Sequence, residues 1–253
     1  MTTSIESMPA PKTPSLWQLL FGMIDRPVAT FEAISARRGR WMWVLPLLVV
    51  IVTFAVVTVV QIPYTLEMAR QQAEVQLAEL PAEQAEAARA TMEFTLSLPF
   101  MLATSLGAGI IILILGVLVQ AAFLYFGALI IGGNDVSFGA VFTMGTWARL
   151  PMAIGYLVQA GFIYFIQGAI MYPGLAFLVS TGSVLEDAKN PLMPLLASID
   201  IFWLWNLLLV VLGLAVVARI GRGKSLLLVL LYAVLALGIT VLPSLLFGAG
   251  VGG

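Results

Sequence analysis

The chain has 253 residues, of which 61% are hydrophobic and 10% charged, with a formal net charge of -1 and a mean hydropathy of +1.04. A soluble globular chain is about half apolar and about a quarter charged, so this much apolar surface cannot be hidden in a soluble core, and membrane spans are the units to count. The absence of cysteine and histidine removes disulfide frameworks, thiolate nucleophiles, most zinc sites, haem ligation by His and Ser-His-Asp chemistry, and the near-neutral charge offers no basic field for nucleic acid.

Residues 1–14 read as a flexible tail. The first strongly apolar run begins near residue 43, too far in for a cleavable signal peptide, so the N-terminus is expected to be retained. Ser15 and Gln18 have capping-box spacing, after which Trp17, Leu20, Phe21 and Ile24 fall on one helical face. Pro27, fixed in φ and lacking an N–H, suits the first turn of a second helix whose apolar side carries Val28, Phe31 and Ile34. Arg37, Arg38, Arg40, Trp41 and Trp43 follow, a grouping suited to a headgroup boundary. Residues 15–42 are thus predicted to form cytoplasmic, interfacial amphipathic helices that act as an anchor and topology signal, with docking of a cytoplasmic partner as the sharper alternative.

Five runs meet the requirement of roughly 20 apolar residues for a bilayer core about 30 Å thick: 43–62, a stretch within 99–131, 150–170, 199–218 and 226–247. The expected fold is therefore all-α, a polytopic bundle of five transmembrane helices occupying residues 43–247, followed by a flexible tail at 248–253. The second run is uncharged throughout, and neither half of it could cross alone, so one long tilted or protruding helix is predicted rather than a hairpin. Residues 64–94 are rich in Ala, Glu and Gln, good helix formers. With Pro81 interrupting a weak apolar stripe, they predict two short helices or one kinked helix outside the membrane, in an extracytoplasmic loop at 63–98.

In this five-span arrangement Lys12, Arg26, Arg37, Arg38, Arg40, Arg149, Arg219, Arg222 and Lys224 share one side, and Arg70, Arg89 and Lys189 the other. Basic residues concentrate on the cytoplasmic side, which places the N-terminus in the cytoplasm and the C-terminus outside, in the cell membrane.

Polar residues inside spans are the natural place to seek function. Arg149 beside Pro151 and Asp200 at the start of the fourth run read as charges at the membrane edge, with Asn206 about one turn deeper. Gln120, Gln159 and Gln167 are neutral. No charge is expected at the bilayer centre, and the amides are expected to pair between helices. "ARIGRGKS", 218–225, has the look of a phosphate loop but joins two spans, where the strand-to-helix context of that motif is missing, so it reads as a turn with cytoplasmic charges. Ala103 and Gly107, and Ser105 and Gly109, are spaced for close helix contact, within the bundle rather than between copies.

The pattern resembles the Yip family, membrane proteins of the early secretory pathway that interact with Rab GTPases, and specifically its prokaryotic branch. The resemblance rests on "RPVATFEAI" followed by "WMWVLPLL", the long Gly-bearing second run, "GGNDVSFGAVFTMGTWARLP" before the third, and "DIFWLWNLLLVVLGLAVVARIGRGKS" before the fifth. It covers residues 16–247 and implies a helical membrane domain behind a cytoplasmic N-terminal region. Its motif positions here are Pro27, Phe31, Asn134, Asp135, Phe138, Arg149, Pro151, Asp200, Trp203, Trp205 and Gly213, none of them catalytic. The GTPase role of eukaryotic members is not carried over, because the long cytoplasmic domain is missing and a prokaryotic cell lacks that pathway.

The expected function is accordingly non-enzymatic: an integral membrane protein that organises membrane partners or membrane shape, the alternative being a small-solute channel or transporter component. The candidate interaction or structural residues are Pro27, Phe31, Asn134, Asp135, Arg149, Pro151, Asp200, Trp203 and Asn206. No cofactor, metal or nucleic acid is expected. The lipid bilayer is the expected partner, with a membrane or cytoplasmic protein partner and a homo-oligomer left open.

Overall fold

The computed structural model describes residues 14–247 apart from 38, 40, 134, 188 and 189, and leaves the side chains of 184, 185 and 242–247 undescribed. The expected tails at 1–14 and 248–253 and the candidate Asn134 thus lie outside the described residues, Pro14 alone excepted.

Among the described residues the regular structure is helical. The first helix, α1 (Leu16–Asp25), opens on the expected capping box: Ser15 accepts from the Gln18 backbone while the Gln18 side chain accepts from Ser15 N–H. Next comes α2 (Pro27–Ser35), with Pro27 in its first turn. The two form a hairpin that packs on one end of the bundle, α2 burying Phe31 and Ile34 and α1 burying Leu19 and Met23. Arg37 ties the end of the hairpin back to the Pro14 carbonyl.

The first long helix, α3 (Val44–Ala78), does not end at residue 62 as the apolar run does. It continues through Pro63 for 35 residues in all. Only the C-terminal part of the 64–94 stretch forms a separate helix, α4 (Ala82–Thr95), which begins directly after Pro81. Proline sits well at a helix start but removes a bond within one, and flanking propensity carries α3 across Pro63 because Ala, Glu, Gln and Arg follow. Arg70 then secures the return by donating to the Leu96 carbonyl at 3.0 Å. The second apolar run is one uninterrupted helix, α5 (Leu98–Ile130), of 33 residues.

The main departure from the sequence pattern follows. Residues expected as a loop before the third span form a helix, α6 (Phe138–Ala148), whose N-terminus Ser137 caps by accepting from the Ala140 backbone. It runs through a single break at Arg149 into α7 (Leu150–Ile166), so the apolar segment extends over Phe138–Ile166, 29 residues. A connector follows with a single 3-10 turn at Ala176–Leu178, the short α8 (Val184–Asp187) and α9 (Leu192–Ala197). Then come α10 (Ile201–Val217) and α11 (Arg222–Phe247). Four segments are long and apolar enough to cross a membrane: α3, α5, α6 with α7, and α11. α10 is equally apolar but has 17 residues, about 26 Å of helix.

Helix packing explains why α6 matters. Neighbouring helices close a ring in which α3 packs on α5 and α7, α10 on α7 and α11, and α11 on α5. α6 lies between α5 and α10 inside this ring, with Val141, Met144, Trp147 and Ala148 at most 1% exposed. Its presence fills only the half of the ring nearest α1 and α2. The main core, built from Phe31, Leu124, Met144, Trp147, Leu209 and Leu214 among others, belongs to that half, whereas the opposite half holds a smaller cluster of Val57, Ala160 and Ile163, with Ile62, Leu66 and Ala176 buried beside it.

Candidate functional site

The break between α6 and α7 is set by Pro151, which has no N–H to offer back along the helix. The backbone tightens at this point: Arg149 N–H donates to Thr146, and Met152 N–H donates to Arg149 rather than to Ala148. The Ala148 carbonyl freed in this way accepts from the side-chain amide of Asn206 on α10, at 2.8 Å. A buried carbonyl without a donor is costly, so the amide at 206 and the proline at 151 form one arrangement.

Arg149 projects from the same break. Its Nη2 donates to Gln120 Oε1 on α5 at 3.3 Å, with Tyr232 on α11 and Tyr156 on α7 close enough to act on it electrostatically. Both tyrosines rest against aromatic rings, Tyr156 edge-on to Phe54 at 5.7 Å and Tyr232 tilted against Phe123 at 6.0 Å between ring centres. Gln120 is buried and Arg149 half-buried, with its Nε sealed from solvent and unpartnered. Among the described residues no carboxylate pairs with Arg149: the ion pairs present are Arg26 with Asp25 and Arg219 with Asp135.

Arg149, expected as a charge at the membrane edge, lies at the break between the two helices of one apolar segment, with eleven residues of α6 before it and seventeen of α7 after it; two residues earlier, the Trp147 indole reaches the Met42 carbonyl just ahead of α3. The sequence offered one signal of this, the apolar run "FGAVFTMGTWA" with Ser137 ahead of it, which makes the arginine internal once it is read as helix.

Of the other singled-out residues, Pro151 and Asn206 join Arg149 in this cluster, and the rest separate. Phe31 is fully buried on α2 and meets α6 and α10 at Met144 and Gly213, where a Cβ on Gly213 would stand 2.9 Å from the ring and 2.6 Å from Met144 Cγ. Pro27 starts the helix that carries Phe31. Asp135, in the turn after α5, faces Arg219 at 4.0 Å, both largely exposed. Asp200 caps α10 by accepting from the Trp203 backbone at 2.7 Å, so Asp135 and Asp200 belong to opposite ends of α10. In the turn once likened to a phosphate loop, Lys224 donates to the Ile131 carbonyl at 2.8 Å and Ser225 to that of Val211 at 2.6 Å. These bonds tie helix ends together, and the residue run before the turn is the helix α10.

Two groups went unnoticed in the sequence. Trp147, fully buried, donates its indole N–H to the Met42 carbonyl at 2.9 Å and so locks α6 to the segment leading into α3. Asp187 organises the connector by accepting from the Thr181 backbone at 2.8 Å, the Thr181 hydroxyl at 3.0 Å and the Ser180 hydroxyl at 2.8 Å. The backbone bond from Thr181, with those hydroxyls and that of Tyr172, holds its carboxyl below the ordinary aspartate range. Neither leaves a periodic signature, since each depends on pairs distant in sequence or on loop geometry.

Long apolar helices, a core concentrated in one half and an arginine held within the apolar segment define an integral membrane protein of the helix-bundle class. Within that class, the family model of the Yip1 domain matches residues 21–245, and the chain belongs to the Yip family. No curated protein and no solved structure matches it.

Proposed function

We propose that this chain is a non-enzymatic membrane protein that organises partners or bilayer shape, with five spans counting α10, its N-terminus in the cytoplasm and its C-terminus outside. The observation that carries the reading is α1. It is fastened to the bundle through Leu19 and Met23, yet it turns Trp17, Phe21 and Ile24 outward at 71%, 69% and 56% exposure. A helix held in this way, beside Leu150, Ile154 and Leu157 and in a segment followed by Arg37, Arg38 and Arg40, suits a boundary between acyl chains and anionic headgroups. The wide separation of Asp135 from Asp200 and the use of Asn206 and Gln120 in interhelical bonds favour structural over catalytic or conducting roles.

The protein has no cysteine, so single introduced cysteines report topology and contacts cleanly. Ser35→Cys is expected to react with an impermeant thiol reagent only from the cytoplasmic side and Ser97→Cys only from the other. A photo-crosslinker at Trp17 or Phe21 is expected to capture a specific neighbouring protein or lipid in native membranes, in contrast to one at Ile112 on α5. Inverted labelling, or indistinguishable crosslinks at 17, 21 and 112, would overturn the proposal. The second reading, a small-solute channel or transporter, is favoured by one observation, the arginine within the apolar segment, and predicts solute flux in proteoliposomes that Arg149→Gln abolishes.

A further inference from the structure

Among the described residues, α1 packs along α2 and makes no comparable contact with the long helices of the bundle. Helices in direct contact lie about 8–10 Å apart. Here the gap stays open as a groove of about 220 Å³, walled by Trp17 and Phe21 of α1, Thr53 of α3, Ile154 and Leu157 of α7 and Trp205 of α10. Trp17, Phe21 and Leu157 are 71%, 69% and 51% exposed, so the groove is open to its surroundings. Two of its walls, α3 and α7, belong to segments long and apolar enough to cross a membrane, and those surroundings are therefore acyl chains.

The chemistry of the lining selects the occupant. Its one hydroxyl, on Thr53, is spent on the Val49 and Val50 carbonyls at 2.9 and 3.1 Å, and apart from the two indoles the remaining lining side chains are aliphatic, thioether or phenyl. An extended peptide would find no row of partners for its N–H and C=O groups, which is costly away from water. A helix about 10 Å across needs more room than the groove has. A methylene chain needs neither partners nor width. Trp17 and Phe21 also border a neighbouring cleft that carries Gln18, Asp25 and Arg26, so an apolar groove and a charged surface meet at α1, as the tail and headgroup of a lipid do.

We propose that the groove between α1 and the helices α3, α7 and α10 is a binding site for one acyl chain of a membrane phospholipid, whose headgroup lies toward Gln18 and Arg26. The proposal rests on the reading of α1 as an interfacial helix and adds to it a defined site. Trp17 and Phe21 then close over a single retained lipid, in place of resting on bulk bilayer.

The test reconstitutes the full chain in phosphatidylcholine vesicles doped with phosphatidylcholine that carries a diazirine in mid-chain. After photolysis the adducts are mapped by peptide mass, and in a parallel sample without photolysis the phospholipid kept per chain on transfer to mild detergent is counted by native mass spectrometry. One retained phospholipid is expected, with adducts at Phe21, Ile154 and Leu157 several-fold above those at Ile112, an α5 residue that is 68% exposed. Ile154→Trp and Leu157→Trp, which fill the groove, are expected to lose both signals, and Ile112→Trp neither. Should Ile154→Trp fail to fold, Leu157→Trp on the exposed rim carries the comparison. Adducts no more frequent in the groove than at Ile112, retention unchanged in Leu157→Trp, or a protein or second copy found in the groove overturns the proposal. Its failure is separable from that of the interfacial reading: Ser35 and Ser97 labelled from the expected sides with no phospholipid retained would remove the site alone, whereas inverted labelling removes the reading of α1 beneath it.

Discussion

Asn206 on α10 donates its side-chain amide to the carbonyl of Ala148 at 2.8 Å, across 58 residues of sequence. The acceptor is available because Pro151 interrupts the helix in front of it. Asn206→Leu keeps the branching of the side chain, removes the donor and strands the carbonyl, at some added volume in a buried position. Interhelical hydrogen bonds in membranes average about 0.6 kcal/mol and reach about 1.7 kcal/mol, and an orphaned buried acceptor adds to the loss. A destabilisation of about 1–2 kcal/mol is expected in denaturant unfolding of the reconstituted protein, and Asn206→Leu combined with Pro151→Ala should recover part of it, because the alanine returns an N–H to the helix. An additive pair would show that the two residues do not form one arrangement.

The apolar run of α5 and the capping box of α1 were legible because they depend on neighbours in sequence: a 33-residue stretch without charge, and Ser15 three residues from Gln18. The placement of Arg149 inside a broken helix was not, since "WARLP" reads equally as the end of a loop and as a proline-broken helix, and the choice rests on Asn206, 57 residues on, supplying a donor to the break. The continuation of α3 past residue 62 was hidden for a related reason. Hydropathy falls where charge begins, yet helix propensity does not, so a span limit and a helix limit are different points.

Gly213 sits where α2, α6 and α10 converge, with room for no Cβ between Met144 Cγ and the Phe31 ring. Gly213→Ala is expected to push α2 away from the bundle, at the roughly 1–3 kcal/mol typical of overpacking. The smaller Phe31→Leu should relieve the variant where a contact with the ring is the cause. Thermal unfolding of the single and double variants checks this, and failure of Phe31→Leu to compensate would move the conflict to Met144.

Asp187 gives the connector a pH dependence whose sign is fixed. Its folded carboxyl titrates below the usual aspartate value because the Thr181 backbone N–H, then the Ser180, Thr181 and Tyr172 hydroxyls, favour the charged form. The stabilisation is fully present above the unfolded value, near 3.9, and is lost as the pH falls through the lower folded value. Limited proteolysis of residues 167–200 should therefore stay slow at neutral pH and accelerate in that acidic window, whereas Asp187→Asn should be cleaved readily at neutral pH with a flatter profile.

Asp135 and Arg219 make the opposite expectation. Their pairing is at 4.0 Å with 88% and 75% of the side chains exposed, and exposed pairs of this kind contribute little. Asp135→Asn should leave the unfolding midpoint unchanged. A clear drop would mean that Asp135 serves the turn between α5 and α6 by some contact other than its ion pair.

The two small-residue faces of α5 divide sharply. A Cβ at Gly109 would stand 2.3 Å from Phe54 Cζ on α3, while one at Gly107 would meet nothing within 4 Å. The spacing that makes either face suited to close helix contact is therefore used inside the bundle at Gly109 alone. Gly109→Val should force the Phe54 ring aside, and with it the edge contact that holds Tyr156 near Arg149, lowering the unfolding midpoint of the monomer. Gly107→Val should not disturb the monomer. Its informative readout is the size of the particle in mild detergent: an unchanged mass leaves the Gly107 face lipid-exposed, and a dimer lost on substitution at 107, with the monomer midpoint intact, would give that face to a second copy of the chain.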